Sequence, residues 1–274
     1  MDYALLVGIN SYPDPANHLN GCLNDIDDMQ QFLIASAGFQ SGNITALKDA
    51  DANTDAIKIR LRNIIAAAQS GDRLVFHYSG HGCEMPEIDG AGNTIAIHDA
   101  MCPYDFDWTE AHSIRDSDIQ TLFAAVPSGT RLSWISDSCY SGGYAKLFAL
   151  FTGASTLLIK TIPPPPAIHA QIVAYQQKVS AERMTMRAMV QTLQRVLLFS
   201  ACTSTQEATD ATFGGRPNGA LTYCLLQQLE TPSGLTEAAQ QVLSDVNLAL
   251  QKGSFAQNPE LHGDPSLFVS PVLG

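Results

Sequence analysis

The sequence lacks the features that would direct a protein into a membrane or out of the cell. No apolar run reaches the ~20 residues that a transmembrane helix needs. The first residues contain neither the basic region nor the cleavage site of a signal peptide. The six cysteines are scattered without a C-x-x-C pair, which is typical of free thiols in a reducing compartment. These absences predict a cytoplasmic protein with no membrane partner.

Basic residues are also scarce, with 15 Lys and Arg against 27 Asp and Glu, and the net charge is −12. Such a charge disfavours nucleic acid or an anionic membrane as the main partner. It would suit a basic substrate, but taken by itself the charge favours the simpler explanation, acidity that serves solubility alone. The oligomeric state stays open.

The chain has 274 residues, of which 45% are hydrophobic, and it contains no internal repeat. Short apolar runs alternate with stretches of helical periodicity, which predicts an α/β fold with a mostly parallel central sheet and helices on both faces. The expected strands are residues 3–9, 44–47, 73–78, 131–136, 196–200 and, closing the sheet, 267–269. A proline-containing segment interrupts the pattern, so we expect one domain over 1–274 made of segments 1–143, 144–194 and 195–274.

Two of the predicted strands end in small residues followed by one reactive side chain, His81 in the first case and Cys139 in the second. The carboxyl ends of parallel strands share one edge of a sheet, where ligands bind. A cysteine attacks as a thiolate and needs a proton acceptor, which histidine supplies. We therefore predict that His81 and Cys139 form the catalytic pair of a cysteine peptidase. The backbone N–H groups of Gly82 and Cys139 are the candidates for an oxyanion hole.

Two carboxylates are expected near this pair. Asp137 lies two residues before Cys139, so in an extended chain both side chains point the same way. Asp25 begins the first helix, where it either joins Asp137 in a pocket for a basic side chain or only complements the helix dipole, an effect worth ~0.3–1 kcal/mol. The spacing does not choose between these roles.

A metal site is not expected. The available cysteine and histidine ligands match no common zinc spacing, and no Cys-x-x-Cys pair is present. The residues considered are Cys83, His98, Cys102 and His112.

Two motifs carry a family resemblance: YSGHG at 78–82 and DSCYSG at 137–142 are similar to the two catalytic motifs of the metacaspases, caspase-like cysteine peptidases, here of the bacterial type. Segments 4–10, 19–25 and 199–210, together with GALT at 219–222, also resemble that family.

The resemblance implies a caspase-like fold and hydrolysis of protein or peptide substrates after arginine or lysine. It implies His81 and Cys139 as the catalytic pair, and an acidic specificity pocket at Cys22, Asp25, Ser79 and Asp137. It also implies self-cleavage in the basic segment 144–194, with Lys178, Arg183 and Arg187 as the candidate positions.

The chain departs from the family at the acidic cluster through which many metacaspases bind calcium. Arg115 stands where an acid is expected, and residues 140–147 contain no acid. Too few ligands remain for an ion that takes 6–8 oxygens, so we expect no cofactor and no calcium dependence. Tyr140 also replaces the histidine that commonly follows the nucleophile. The alternatives are a catalytically silent interaction module on the same fold, or a caspase-fold peptidase of different specificity.

Overall fold

The structure, a computed structural model, describes residues 1–140, 158–178, 186–191, 193–203 and 206–274, apart from the side chains of residues 187 and 188. The strands are β1 (Tyr3–Gly8), β2 (Ile44–Lys48), β3 (Arg73–Ser79), β4 (Gly82–Ile88), β5 (Thr94–Met101), β6 (Ile114–Arg115), β7 (Arg131–Asp137), β8 (Leu158–Ile159), β9 (Val196–Ser200), β10 (Thr209–Phe213), β11 (Arg216–Gly219) and β12 (Glu260–Gly263). The helices are α1 (Cys22–Ala35), α2 (Thr54–Ala67), α3 (Asp116–Phe123), α4 (Pro166–Lys178), α5 (Met186–Gln191), α6 (Ala220–Leu229) and α7 (Ala239–Lys252). Short 3-10 turns cover Pro15–Asn17, Ser41–Asn43, Asp49–Asp51 and Pro265–Leu267.

The central sheet has the strand order β12-β9-β7-β3-β1-β2. Strands β2, β1, β3, β7 and β9 run parallel to one another, and β12 at the edge is antiparallel to β9. The predicted α/β fold with a mostly parallel sheet is therefore confirmed. Strands β9 and β12 come from segment 195–274 and extend the sheet that segment 1–143 begins.

Strand β1 shows why the sheet is covered on both sides. Successive side chains point to opposite faces, so Leu5 and Val7 pack with α2 and α3, whereas Ala4 and Leu6 pack with α1, α6 and α7. All four of these side chains are fully buried. The hydrophobic run of β1 is uninterrupted because both faces of the strand are buried. Such runs are typical of parallel strands between two helical layers.

Two small antiparallel sheets lie beside the end of the central sheet at which β3 and β7 terminate. One contains β4, β5 and β6, and the other contains β11, β10 and β8. Strand β4, which was not predicted, follows immediately after His81 and contains Pro86. Strand β8 lies in the interrupting segment 144–194 and pairs with β10 through Leu158 and Ile159, so this segment contributes structure at the edge of the site.

The last predicted strand is wrong. The chain pairs with β9 over Glu260–Gly263, and residues 267–269 lie beyond the sheet. Gly263 has a φ of +138°, and an added Cβ would lie 2.3 Å from the carbonyl oxygen of Val196. Asp264 then caps a 3-10 turn that starts at Pro265. The glycine and the turn end the strand before the apolar run that suggested it.

Candidate active site

The predicted reactive residues follow neighbouring strands. Strands β3 and β7 are paired in parallel through Ser79 opposite Asp137, the last residue of each strand. His81 and Cys139 each lie two residues beyond that pair, so the chain carries both to the same edge of the sheet. The structure thus brings together the two segments that the sequence pattern singled out.

The His81 ring is buried and its orientation is set by two neighbours. Its backbone N–H donates to the Tyr12 hydroxyl at 2.8 Å, and the two ring centroids are 4.9 Å apart. Nε2 lies 2.8 Å from the carbonyl oxygen of Asn17. Because a carbonyl only accepts, this contact assigns the proton to Nε2 and leaves Nδ1 as the basic nitrogen of the neutral ring.

The backbone N–H and the sulfur of Cys139 contact different partners. Its N–H donates to the carbonyl oxygen of Lys160 at 3.1 Å, and the Gly82 N–H donates to the same oxygen at 3.2 Å. Its Sγ donates to the carbonyl oxygen of Gln206 at 3.0 Å. Two backbone donors therefore converge on one carbonyl, and one of them belongs to the residue that carries the thiol.

Gly82 has no room for a side chain. A Cβ there would lie 2.5 Å from the Cys139 carbonyl oxygen and 2.8 Å from the Tyr140 ring. The absence of a Cβ allows the two backbone segments to approach closely, and this approach places both N–H groups on the Lys160 carbonyl.

The acidic residues predicted to form a pocket do lie together, and a lysine occupies the space between them. The Lys160 ammonium is 3.0 Å from an Asp137 oxygen, 3.2 Å from an Asp25 oxygen and 2.9 Å from the Ser79 hydroxyl. Lys160, Asp25, Ser79 and Asp137 are all fully buried. A charge buried this deeply persists only when it is paired, and here two carboxylates face one cation.

Backbone and side-chain donors hold the two carboxylates in place. The Asp25 carboxylate accepts from the Gly219 N–H at 2.8 Å and from the Ser79 hydroxyl at 2.7 Å. Asp137 Oδ2 accepts from the N–H and the hydroxyl of Thr222, at 2.9 and 2.7 Å. The start of α6 and the strand before it thus complete the pocket. Sequence reasoning gave Gly219 and Thr222 no role, although both lie in a segment that resembles the family.

The electrostatics follow from burial and pairing. The pKa of Asp25 is raised to about 6, because burial and the nearby Asp137 carboxylate together outweigh the lowering effect of Lys160. Burial alone would lower the pKa of Lys160, but Asp137 and Asp25 raise it well above its usual value. Lys160 is therefore a cation in this site.

Cys22 and Asp210 stand at the same pocket. Cys22 is fully buried in the first turn of α1, and burial raises the pKa of its thiol well above the ordinary value. Asp210, which was not predicted, accepts from the N–H groups of Asn20 and Gly21 at 2.6 and 3.0 Å. It holds the loop before α1 and adds a third carboxylate that raises the pKa of Lys160.

Of the three predicted self-cleavage positions, only Lys178 is fully described by the structure. Lys178 is the exposed last residue of α4. Arg183 and the side chain of Arg187 lie outside the described residues. Lys160 belongs to the same segment 144–194, and its one sequence signal was that it is one of the basic residues of this segment. That signal cannot reveal that the side chain enters the pocket.

The residues considered for metal binding have other contacts. His98 lies between Asp116 and Glu87, at 2.6 and 2.9 Å, and His112 contacts Asp107 at 2.7 Å. In the part of the chain that the structure describes, no three His, Cys, Asp or Glu side chains are grouped as a metal site requires. Calcium independence remains a prediction. None of the helices in the described segments has the length and apolar character of a membrane crossing.

Comparison with known proteins identifies the family. A family model described as "Metacaspase, peptidase C14 domain" matches residues 3–148, more than half of the chain. The chain belongs to the metacaspase family. The metacaspase motifs predicted at 78–82 and 137–142 lie inside the matched region.

Curated metacaspases align over different shares of the chain. Metacaspase-4 and Metacaspase-9 of Arabidopsis thaliana are 39% and 40% identical over 51% of this chain, and the aligned region covers 33% and 43% of their lengths. Metacaspase-1 of Cryptococcus neoformans is 30% identical over 94% of this metacaspase and 61% of its own length. The chain thus matches less than half of the plant relatives' length.

A solved structure extends the likeness to the whole fold. A crystal structure of a Geobacter sulfurreducens protein superposes with a TM-score of 0.68 at 22% identity. The superposition covers 98% of this metacaspase and 97% of the other chain. At this identity the likeness concerns the fold alone.

Proposed function

We propose that this metacaspase is a cysteine endopeptidase that cleaves after lysine or arginine, and that its first substrate is its own Lys160–Thr161 bond. One observation carries the proposal: Lys160 fills the acidic pocket while its carbonyl oxygen accepts from Gly82 and Cys139. A basic side chain in a specificity pocket, with its carbonyl on two backbone donors beside a thiol, is the arrangement of a bound substrate.

The chemistry needs a nucleophile, a proton carrier and a site for the oxyanion. His81 Nδ1 accepts the Cys139 proton, and the thiolate attacks the carbonyl carbon of the bound residue. The N–H groups of Gly82 and Cys139 stabilise the negative oxygen of the tetrahedral intermediate. His81 then protonates the leaving amine, and water hydrolyses the thioester. Nε2, held by the Asn17 carbonyl, keeps the ring in the tautomer that this sequence of steps requires.

The charge of the pocket supports specificity for basic residues. Two buried carboxylates without a cation would repel each other in a medium of low dielectric constant. A lysine ammonium or an arginine guanidinium relieves that repulsion, whereas a neutral or acidic side chain does not. The planar guanidinium group of arginine can hydrogen-bond to both carboxylates at once. The Lys160 side chain shows that a basic side chain fits the pocket.

The chain around Lys160 also has the extended form of a peptide substrate. Before it, Leu158 and Ile159 pair antiparallel with Asp210 and Thr209, and the Lys160 N–H donates to the Ala208 carbonyl at 3.0 Å. After it, the Ile162 N–H donates to the Gly82 carbonyl at 3.1 Å. Addition of a strand to a sheet edge is a common mode of peptide binding. We therefore favour Lys160 over the helical Lys178 as the self-cleavage position.

The proposed cleavage has a direct test. Purified chain is followed by intact mass and by sequencing of any new N-terminus. Wild type is expected to yield a fragment that begins at Thr161, whereas Cys139→Ala and Lys160→Gln stay whole. Lys178→Gln is the matched control, and it should be cut as fast as wild type. Cleavage that begins at residue 179, or that survives in Lys160→Gln, would refute this assignment.

Peptide hydrolysis tests the activity separately. Because Lys160 occupies the pocket, hydrolysis of an arginyl peptide is expected to show a lag that ends as the chain is cut. Peptides with aspartate, glutamine or leucine in place of arginine should be poor substrates. A chain that neither cuts itself nor hydrolyses any of these peptides, and that behaves like Cys139→Ala, would instead favour the silent interaction module.

A further inference from the structure

A second thiol lies beside the proposed nucleophile. Cys202 Sγ is 3.7 Å from Cys139 Sγ, and both residues are buried. They follow neighbouring parallel strands, because β7 and β9 pair through Ser136 opposite Ser200. The Ala201 N–H donates to the Ser136 carbonyl at 3.1 Å, which continues the ladder up to the two cysteines. The pair is therefore fixed by the central sheet.

Both sulfurs also share one acceptor. The Gln206 carbonyl oxygen accepts from Cys139 Sγ at 3.0 Å and from Cys202 Sγ at 3.3 Å. The side chain of the same glutamine accepts from the N–H groups of Thr203 and Asn258, at 3.3 and 2.9 Å. Gln206 is thus tied to its own loop through Thr203 and to the loop before β12 through Asn258, and its carbonyl holds the two thiols as neighbours.

We infer that Cys139 and Cys202 form a reversible disulfide when the chain meets a peroxide, with Cys202 as the resolving thiol. The inference rests on the proposed function, since it needs Cys139 to be a reactive thiolate. A disulfide has an S–S length of about 2.05 Å, so the sulfurs must approach by about 1.7 Å. The two sulfurs are already in direct contact.

The chemistry balances with hydrogen peroxide as the oxidant. The Cys139 thiolate attacks one peroxide oxygen, the O–O bond breaks, and the departing hydroxide takes up the thiol proton to form water. The Cys202 sulfur then attacks the sulfur of the resulting sulfenic acid. The S–S bond forms, the S–O bond breaks, and hydroxide leaves as a second water with the Cys202 proton. The two sulfurs lose the two electrons that the peroxide gains.

The consequence is protection of the nucleophile. A sulfenic acid without a nearby thiol proceeds to sulfinic and sulfonic acids, which ordinary reductants do not reverse. Cys202 would divert the first oxidation product into a disulfide that a dithiol reductant opens. Peroxide then stops the enzyme without destroying it.

The test treats the full chain with hydrogen peroxide and reads intact mass, a peptide map without reductant, and activity before and after dithiothreitol. Wild type should lose two hydrogens in mass, yield one cross-linked peptide pair containing Cys139 and Cys202, and regain its activity under reductant. Cys202→Ala and Cys202→Ser should instead gain oxygen at Cys139 and fail to recover. Each variant is compared with its own untreated sample and checked for folding by circular dichroism.

Cys224→Ala is the matched control, because Cys224 is a buried cysteine of α6 outside this pair. It should form the cross-link as wild type does. Equal over-oxidation of Cys139 in wild type and Cys202→Ala, no change in wild-type mass, or a cross-link to another cysteine would overturn the inference. The mass readout does not require peptidase activity, so an inactive chain that cross-links refutes only the proposed function, and an active chain that does not cross-link refutes only the disulfide.

Discussion

Lys160 Nζ and Asp137 Oδ1 lie 3.0 Å apart, and neither side chain is exposed to solvent. The two residues come from different segments of the chain: Asp137 is the last residue of the central strand β7, and Lys160 follows the short strand β8. Their contact closes the pocket in the intact chain and links the stability of segment 144–194 to the acidic site.

The Asp137→Asn substitution should destabilise the intact chain strongly. It removes one partner of a buried ion pair, a change that costs about 3–5 kcal/mol of unfolding free energy. Urea unfolding of the Cys139→Ala chain with and without the substitution measures this cost without self-cleavage. Asp27→Asn is the control, because Asp27 pairs with Lys48 at 2.6 Å on the exposed surface, where such a pair contributes about 0–1 kcal/mol. Similar small effects at both positions would contradict the role of the buried pair.

Tyr12→Phe should slow catalysis and leave substrate binding nearly unchanged. The Tyr12 hydroxyl accepts from the His81 N–H and donates to the Cys102 carbonyl at 3.1 Å. Removing the hydroxyl deletes this hydrogen bond from a buried N–H, which costs about 1–3 kcal/mol, and allows the imidazole to shift. We expect a lower kcat with a similar KM on an arginyl peptide. Tyr175→Phe, which loses only an exposed bond to Ile95, should behave as wild type. A rise in KM alone would argue against a positioning role.

Gly82→Ala should abolish self-cleavage even though the substitution is small. The added Cβ would lie 2.5 Å from the Cys139 carbonyl oxygen, so the two backbone segments must separate. The N–H groups of Gly82 and Cys139 then no longer both donate to the Lys160 carbonyl. Loss of one oxyanion donor costs about 10²–10³ in kcat. Gly42→Ala, where nothing lies within 4 Å of the added atom, should be cut at the wild-type rate. Normal cleavage of Gly82→Ala would contradict the assignment of the Gly82 N–H to the oxyanion hole.

Stability should fall as the pH rises above 6.5 because of His98. Hydrogen bonding to Asp116 raises its pKa above the ordinary value of 6.5, burial opposes this, and Glu87 raises it further. A raised pKa means that the folded chain binds the proton more tightly than the unfolded chain. The stabilisation is therefore complete below pH 6.5 and is lost as the pH rises through the folded pKa.

Urea unfolding at several pH values, with His98→Gln as the comparison, measures this slope. The substitution should flatten the decline above pH 6.5, because it removes the group that exchanges the proton. His112→Gln is a useful contrast, since His112 also has a raised pKa through Asp107 but lies in an exposed pair. If stability declines with pH in His98→Gln as steeply as in wild type, other groups cause the decline.

Local sequence determined much of this protein. Uninterrupted apolar runs such as residues 3–9 specify strands buried on both faces, because only helices on both sides of a sheet exclude water from both sets of side chains. The small residues after two of those runs end the strands and place His81 and Cys139 at one edge. The predicted pocket residues Asp25 and Asp137 follow the same logic, since each lies within a few residues of a strand end or helix start.

Only the tertiary structure decided what enters the pocket and what lies beside the thiol. Lys160 is separated from Asp25 by 135 positions and Cys202 from Cys139 by 63, so no short-range pattern relates them. The end of the sheet was likewise decided by the pairing of β12 with β9 and not by the apolar run at 267–269. The physical reason is that a buried charge takes the position where opposite charges are already assembled, and that assembly exists only once strands and helices distant in sequence have packed together.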